Sequence, residues 1–170
     1  MKTEEEKLEY INKVCDTDYQ SMDEVKWQWL SSDVKLPELF IKEFEDKVDW
    51  DYISIFQTLS ETFIIEFENK LKWNFIWRNQ NVSQYFIQKY GLEHFHANLI
   101  KYCTVPLDTI SKLKHHVSWS DVIKHQVLTE KFIWVHKVYF DMHLIKLIET
   151  YQQVSPEFIE KLIDCKKQKH

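Results

Sequence analysis

Glycine is almost missing from this chain: Gly91 stands alone among 170 residues, with three prolines. A many-stranded sandwich or barrel needs turn residues at every hairpin, so an all-β fold is excluded and helices remain. One glycine also cannot write G-x-x-x-x-G-K or G-x-G-x-x-G, and nucleotide binding through those phosphate-cradling loops goes with them. Arginine is equally scarce, with Arg78 the single example. Bidentate contacts to phosphate or guanine draw on arginine, which counts against nucleic-acid recognition. Cys15, Cys103 and Cys165 are odd in number and widely spaced, and they make no disulfide framework. No window approaches eighteen consecutive apolar residues, so no membrane span is expected. The opening MKTEEEKLEY carries no apolar leader, and the sequence reads as a soluble, intracellular, cytoplasmic protein with reduced thiols.

Apolar residues make up 44% and charged residues 29% of the chain, enough for one domain with a sizeable core. The net charge of −5 hides a gradient, because residues 1–70 hold 8 basic and 18 acidic groups while 71–170 hold 14 and 9. The two stretches stand at −10 and +5. All eight histidines fall in the basic stretch, from His94 onward, and they make it more positive below about pH 6.5.

A period of 23 residues runs through the chain. It places Trp27, Trp50, Trp73, His96 and Trp119 in one slot, and Leu30, Ile53, Ile76, Leu99 and Val122 three residues on. Gln57, Gln80, Cys103 and Gln126 share another slot, followed by Leu59, Val82, Val105 and Leu128. Phe40, Phe63, Phe86 and Phe132 come next, interrupted by Thr109. A 26-residue step then leads from Leu128 to Val154 and a last partial copy. Each period has two helix-start signals. Ser60 caps one helix, with Leu59 and Ile64 as its hydrophobic staple; Asp49 caps the other, with Val48 against Ile53. Pro37 and Pro106 take the cap slot in their copies. A pair of such short helices cannot bury its apolar face alone, and stacking is the economical solution. The expected fold is all-α, a solenoid-like stack of short two-helix repeats. Residues 1–24 form a charged lead-in or N-terminal cap, 25–162 the repeats and 163–170 a basic tail, disordered from Lys166 to His170. The third copy, with Gly91 and His96 in place of Glu68 and Trp73, is the most divergent and marks a bend or a specialised surface.

The unit W-x-x-I-S-x-x-Q-x-L-S-E-x-F-I, written from Trp50 to Ile64, resembles a short repeat of uncharacterised proteins from giant DNA viruses and large bacteriophages. The similarity covers roughly residues 25–162 and is close in the first two copies. It implies a viral helical-repeat protein and carries no catalytic residues.

No catalytic constellation assembles. His94 and His96, with Cys103 nearby, are the only zinc candidates, but residues two apart on a helix point to opposite sides and no further ligand pair completes a set. They read as replacements for Val48 and Trp50 in a degenerate copy. His136 falls on the Phe44 slot and reads as a packed, hydrogen-bonded histidine. The recurrent glutamines read as partners of inter-helix backbone groups. Trp27, Trp50, Trp73, Trp119, Ile53, Ile76, Phe40, Phe63, Phe86 and Phe132 form the structural core. Off these slots, Trp29, Tyr52 and Phe75 make a stripe over three successive copies, joined as candidate partner-binding residues by Trp77, Trp134 and Tyr139. The sequence therefore points to a non-enzymatic, cofactor-free module that binds host or viral proteins. A structural virion or assembly role and nucleic-acid binding by the basic half are the alternatives, and the charge gradient allows head-to-tail self-association.

Overall fold

A computed structural model describes residues 3–168. Its helices are α1 (Glu4–Cys15), α2 (Trp27–Asp33), α3 (Glu38–Glu43), α4 (Trp50–Phe56), α5 (Glu61–Glu66), α6 (Trp73–Asn79), α7 (Gln84–Tyr90), α8 (Ala97–Tyr102), α9 (Leu107–Lys112), α10 (Trp119–His125), α11 (Glu130–His136), α12 (Met142–Tyr151) and α13 (Pro156–Lys167). Single 3₁₀ turns lie at Met22–Glu24 and Lys137–Tyr139, and there is no strand among the described residues. The fold is an all-α stack of short two-helix repeats. Its internal contacts divide the chain into two compact units, Met1–Gln80 and Asn81–His170.

In the first unit α2 packs on α4 and α4 on α6; in the second, α8 packs on α10, α10 on α12 and α12 on α13. Helices of six or seven residues have no stability of their own, so the stacking and the caps hold them. Ser60, Ser83, Ser118, Thr129, Asp141 and Ser155 each cap a helix by accepting from a backbone N–H of its first turn. Asp49 does the same for two amides of α4. Pro37 and Pro106 occupy the cap positions of α3 and α9 and offer no side-chain acceptor.

The repeats of Trp27, Trp50 and Trp119 each close over an aromatic cluster. The ring of Trp27 lies 5.2 Å from Phe44, Trp50 lies 5.0 Å from Phe67 and Trp119 lies 5.3 Å from His136. Phe40, Phe63, Phe86, Phe132, Ile53 and Ile76 are buried, as is Trp119. Trp27, Trp50 and Trp73 are half-buried at the rim of the core instead. Their position has a polar reason in two repeats, where the indole N–H donates to the carbonyl five residues back, Trp50 to Glu45 at 2.9 Å and Trp73 to Glu68 at 3.2 Å.

Both ends are more ordered than the composition suggests. Residues 4–15 of the lead-in form a full helix, opened by a Thr3–Glu6 capping box and anchored by buried Ile11 and Cys15. At the other end α13 reaches Lys167, so Lys166 and Lys167 are helical where the sequence reading expects disorder. The buried face of Phe158, Ile159 and Leu162 carries the helix forward, and lysines in its last turn complement the helix dipole. Lys169 and His170 lie outside the described residues.

The divergent third copy holds a close approach. Gly91 is buried, and a Cβ added there would sit 2.5 Å from the carbonyl oxygen of Ile87 and 3.2 Å from Leu99. Glycine is what lets the end of α7 lie against Leu99 of α8.

Candidate functional site

The recurrent polar residues are consumed by the scaffold. Gln57 Nε2 donates to the carbonyls of Ser31 (2.9 Å) and Val34 (2.8 Å), while its Oε1 accepts from Leu36 N–H (2.9 Å). Gln80 bonds Gln57 O and Leu59 N–H. Gln126 bonds Ile100 O, Cys103 O and Val105 N–H. Gln152 repeats the pattern on Ile123 O, Gln126 O and Leu128 N–H after the 26-residue step. A carboxamide has two donors and an acceptor, which matches the unpaired backbone groups where one helix ends and the next strand of loop begins. The sequence reading assigns this role to Gln57, Gln80 and Gln126 and misses Gln152, whose slot is displaced by the longer step.

A second polar slot escaped the sequence reading. Ser31 and Ser54, both fully buried, donate to the carbonyls of Trp27 and Trp50 at 2.7 Å and accept from Asp49 N–H and Lys72 N–H of the following repeat. Trp77 stands 23 residues after Ser54 in this inward slot and is 1% exposed. Its assignment to a partner-binding surface is therefore corrected: it is a core residue, 5.1 Å from the Trp73 ring. The signal available in the sequence was its spacing of four from Trp73, which puts both on one helix face.

The remaining aromatic candidates separate into two groups. Tyr139 is half-buried, stacked on Trp119 at 5.3 Å with its hydroxyl 3.4 Å from His115 Nε2, and Trp134 carries the ammonium groups of Lys137 and Lys161 at 4.3 and 4.4 Å from its ring. These two are occupied by their own unit. Trp29 is 42% exposed on α2, and Tyr52 and Phe75 hold the equivalent places on α4 and α6, half-buried. Phe56, one turn beyond Tyr52 and stacked on it at 5.7 Å, is more than half exposed and widens the row. Since α2, α4 and α6 pack in order, the row runs across the unit from helix to helix.

The second unit has a row that the sequence reading did not find. Tyr102, His125 and Tyr151 end α8, α10 and α12, all three exposed. They were hidden because the slot mixes tyrosine with histidine and asparagine, and because Tyr151 again follows the longer step.

Among the described residues no metal centre forms, and two of the three thiols are held back by burial. Burial pushes the Cys103 thiol up to about 11, and Cys15 likewise, so both stay protonated at neutral pH and are poor nucleophiles. His96 serves as the cap of α8, its Nδ1 accepting from Asn98 N–H at 3.1 Å. Among the described residues no three His, Cys, Asp or Glu side chains come together to hold a metal ion, and no helix is long and apolar enough to cross a membrane. His136 is buried, with Nδ1 2.9 Å from Phe132 O, and fills the Phe44 slot of its copy.

A concavity in the second unit is mainly apolar. It is a groove of about 480 Å³, lined by Val138, Tyr139, Phe140, Asp141 and Met142 together with Lys166 and Lys167. It lies where the extra 3₁₀ turn Lys137–Tyr139 interrupts the repeat. Comparison with protein families, curated proteins and solved structures finds no match for this chain.

Proposed function

We propose that this chain is a non-catalytic helical-repeat module that binds a protein partner. On the resemblance of its repeat, the partner is a host or viral protein inside an infected cell. The observation that carries the reading is the Trp29–Tyr52–Phe56–Phe75 row, aromatic surface left accessible on three successive stacked helices. Aromatic side chains supply large contact area at low conformational cost and dominate binding hot spots. The polar residues that recur with the period are spent on backbone groups, which leaves the row as the repeated feature facing outward in the first unit.

The test compares capture by the natural chain with capture by a Trp29→Ser, Phe56→Ser double variant whose helical circular dichroism is unchanged. A photo-crosslinker at position 52 identifies what lies on the row. The reading expects one set of crosslinked proteins, lost by at least tenfold in the double variant. Capture that is indifferent to the two substitutions, with no crosslink from position 52, overturns it.

A further inference from the structure

The groove in the second unit and the acidity of the first fit one another. The first unit, residues 1–80, has a net charge of −8, and the second, residues 81–170, has +3. The groove exposes Val138 and Met142, so apolar surface faces water beside the two lysines of the lining. Its single acidic group, Asp141, is already engaged as the cap of α12, accepting from Leu144 N–H at 2.8 Å. Half-buried Lys166 and exposed Lys167, the latter 3.8 Å from Asp164, outnumber that one carboxylate, so the lining carries a net positive charge.

A matching knob stands on the first unit. Leu39, near the start of α3, is 76% exposed, far above the other leucines of the repeats. It borders a depression with Tyr10, Lys42 and Glu43, and Lys42 is ion-paired with Glu66. Helix α1 carries Glu4, Glu5 and Glu6 in its first turn and Glu9 beyond, beside Tyr10. An apolar knob in an acidic field is the complement of an apolar groove with lysines in its lining.

We propose that the chain associates with a second copy of itself, Leu39 and the acidic face of one copy's first unit docking into the Val138–Met142 groove beside Lys166 and Lys167 of the next. The contact is heterologous: the two faces differ, so each bound copy still presents one free groove and one free knob. Such a contact runs on as an open assembly or closes into a ring. It goes beyond the partner-binding reading and uses none of Trp29, Tyr52, Phe56 or Phe75, so either proposal survives the failure of the other.

Sedimentation equilibrium of the whole chain between about 5 and 500 μM tests it. Molar mass rises with concentration at 20 mM salt and rises several-fold less at 0.5 M, where the Debye length is on the order of 4 Å. Leu39→Asp and Met142→Asp, both at exposed positions, each abolish the rise with helical content retained. Mixing the two variants is decisive. The Leu39→Asp copy keeps its groove and the Met142→Asp copy keeps its knob, so the mixture forms a dimer and stops there. A monomer at every concentration and salt, self-association that survives both substitutions, or a mixture that stays monomeric overturns the proposal.

Discussion

Gln126 shows how much of this fold rests on single side chains. Its carboxamide is buried and bonds three backbone groups of the preceding repeat, at 2.6, 2.8 and 2.8 Å. Gln126→Met keeps the volume and removes the polar end, which strands the Val105 N–H and the carbonyls of Ile100 and Cys103 away from water. Each stranded group costs about 1–3 kcal/mol, and partial relaxation brings the expected total to roughly 2–4 kcal/mol. Gln88→Met, on the exposed side of α7, changes stability by less than about 0.5 kcal/mol. Denaturant midpoints at constant m separate the two, and equal shifts contradict the assigned role. The slot also holds Cys103, and a thiol supplies neither the paired donors nor the carbonyl oxygen of a carboxamide.

Between elements, the same economy ties one helix start to the next. Glu130 at the first position of α11 accepts from both the N–H and the hydroxyl of Ser155, each at 2.8 Å, and Ser155 in turn caps α13. Glu38 and Ser60 make the same bridge between the starts of α3 and α5. The two bonds from Ser155, backbone first, hold the Glu130 carboxyl below the ordinary carboxylate range. A carboxyl whose folded pKa is depressed stabilises the fold above its unfolded pKa, about 4.3, and loses that contribution as pH falls through the folded value. The stability difference between the natural chain and Glu130→Gln is therefore largest near pH 6 and shrinks in acid. A difference that is flat from pH 6 to pH 3, or grows, contradicts the bridge. Most elements were legible in the sequence because capping residue and staple recur with the period, as at Asp49 and Ser60. Helix α1 was legible only as one of two alternatives, a cap or a frayed lead-in, and the end of α13 was not legible, since there the apolar residues are sparse and charged residues hide a one-sided face. Trp77 was misplaced for a different reason. Its slot holds serine in the two clearest copies, and serine does not announce an inward position unless its hydroxyl is seen to close a backbone bond.

At the scale of the molecule, the repeat was visible and the division between residues 80 and 81 was not, because the aliphatic slot keeps its 23-residue spacing through it, from Ile76 to Leu99, and only the change from Trp73 to His96 marks the next copy. The exposed Tyr102–His125–Tyr151 row and the groove beside Lys166 and Lys167 were illegible for a related reason: both depend on the 26-residue step, which shifts every later slot by three. The glutamine clamp touches only backbone groups, so its acceptors are indifferent to which copy supplies them. Removing residues 104–126 brings Gln152 to the carbonyls of Ile100 and Cys103, the pair that Gln126 now uses. That shortened chain keeps its helical circular dichroism per residue and unfolds cooperatively at reduced stability, whereas removal of 104–124 leaves the clamp out of register and abolishes cooperative unfolding. Identical behaviour of the two deletions refutes a clamp that sets register. A gene encoding such a protein tolerates unequal crossing-over wherever the exchange respects the period. Lineages can therefore lengthen or shorten the array by whole copies, and the repeat number becomes a heritable variable on which selection acts.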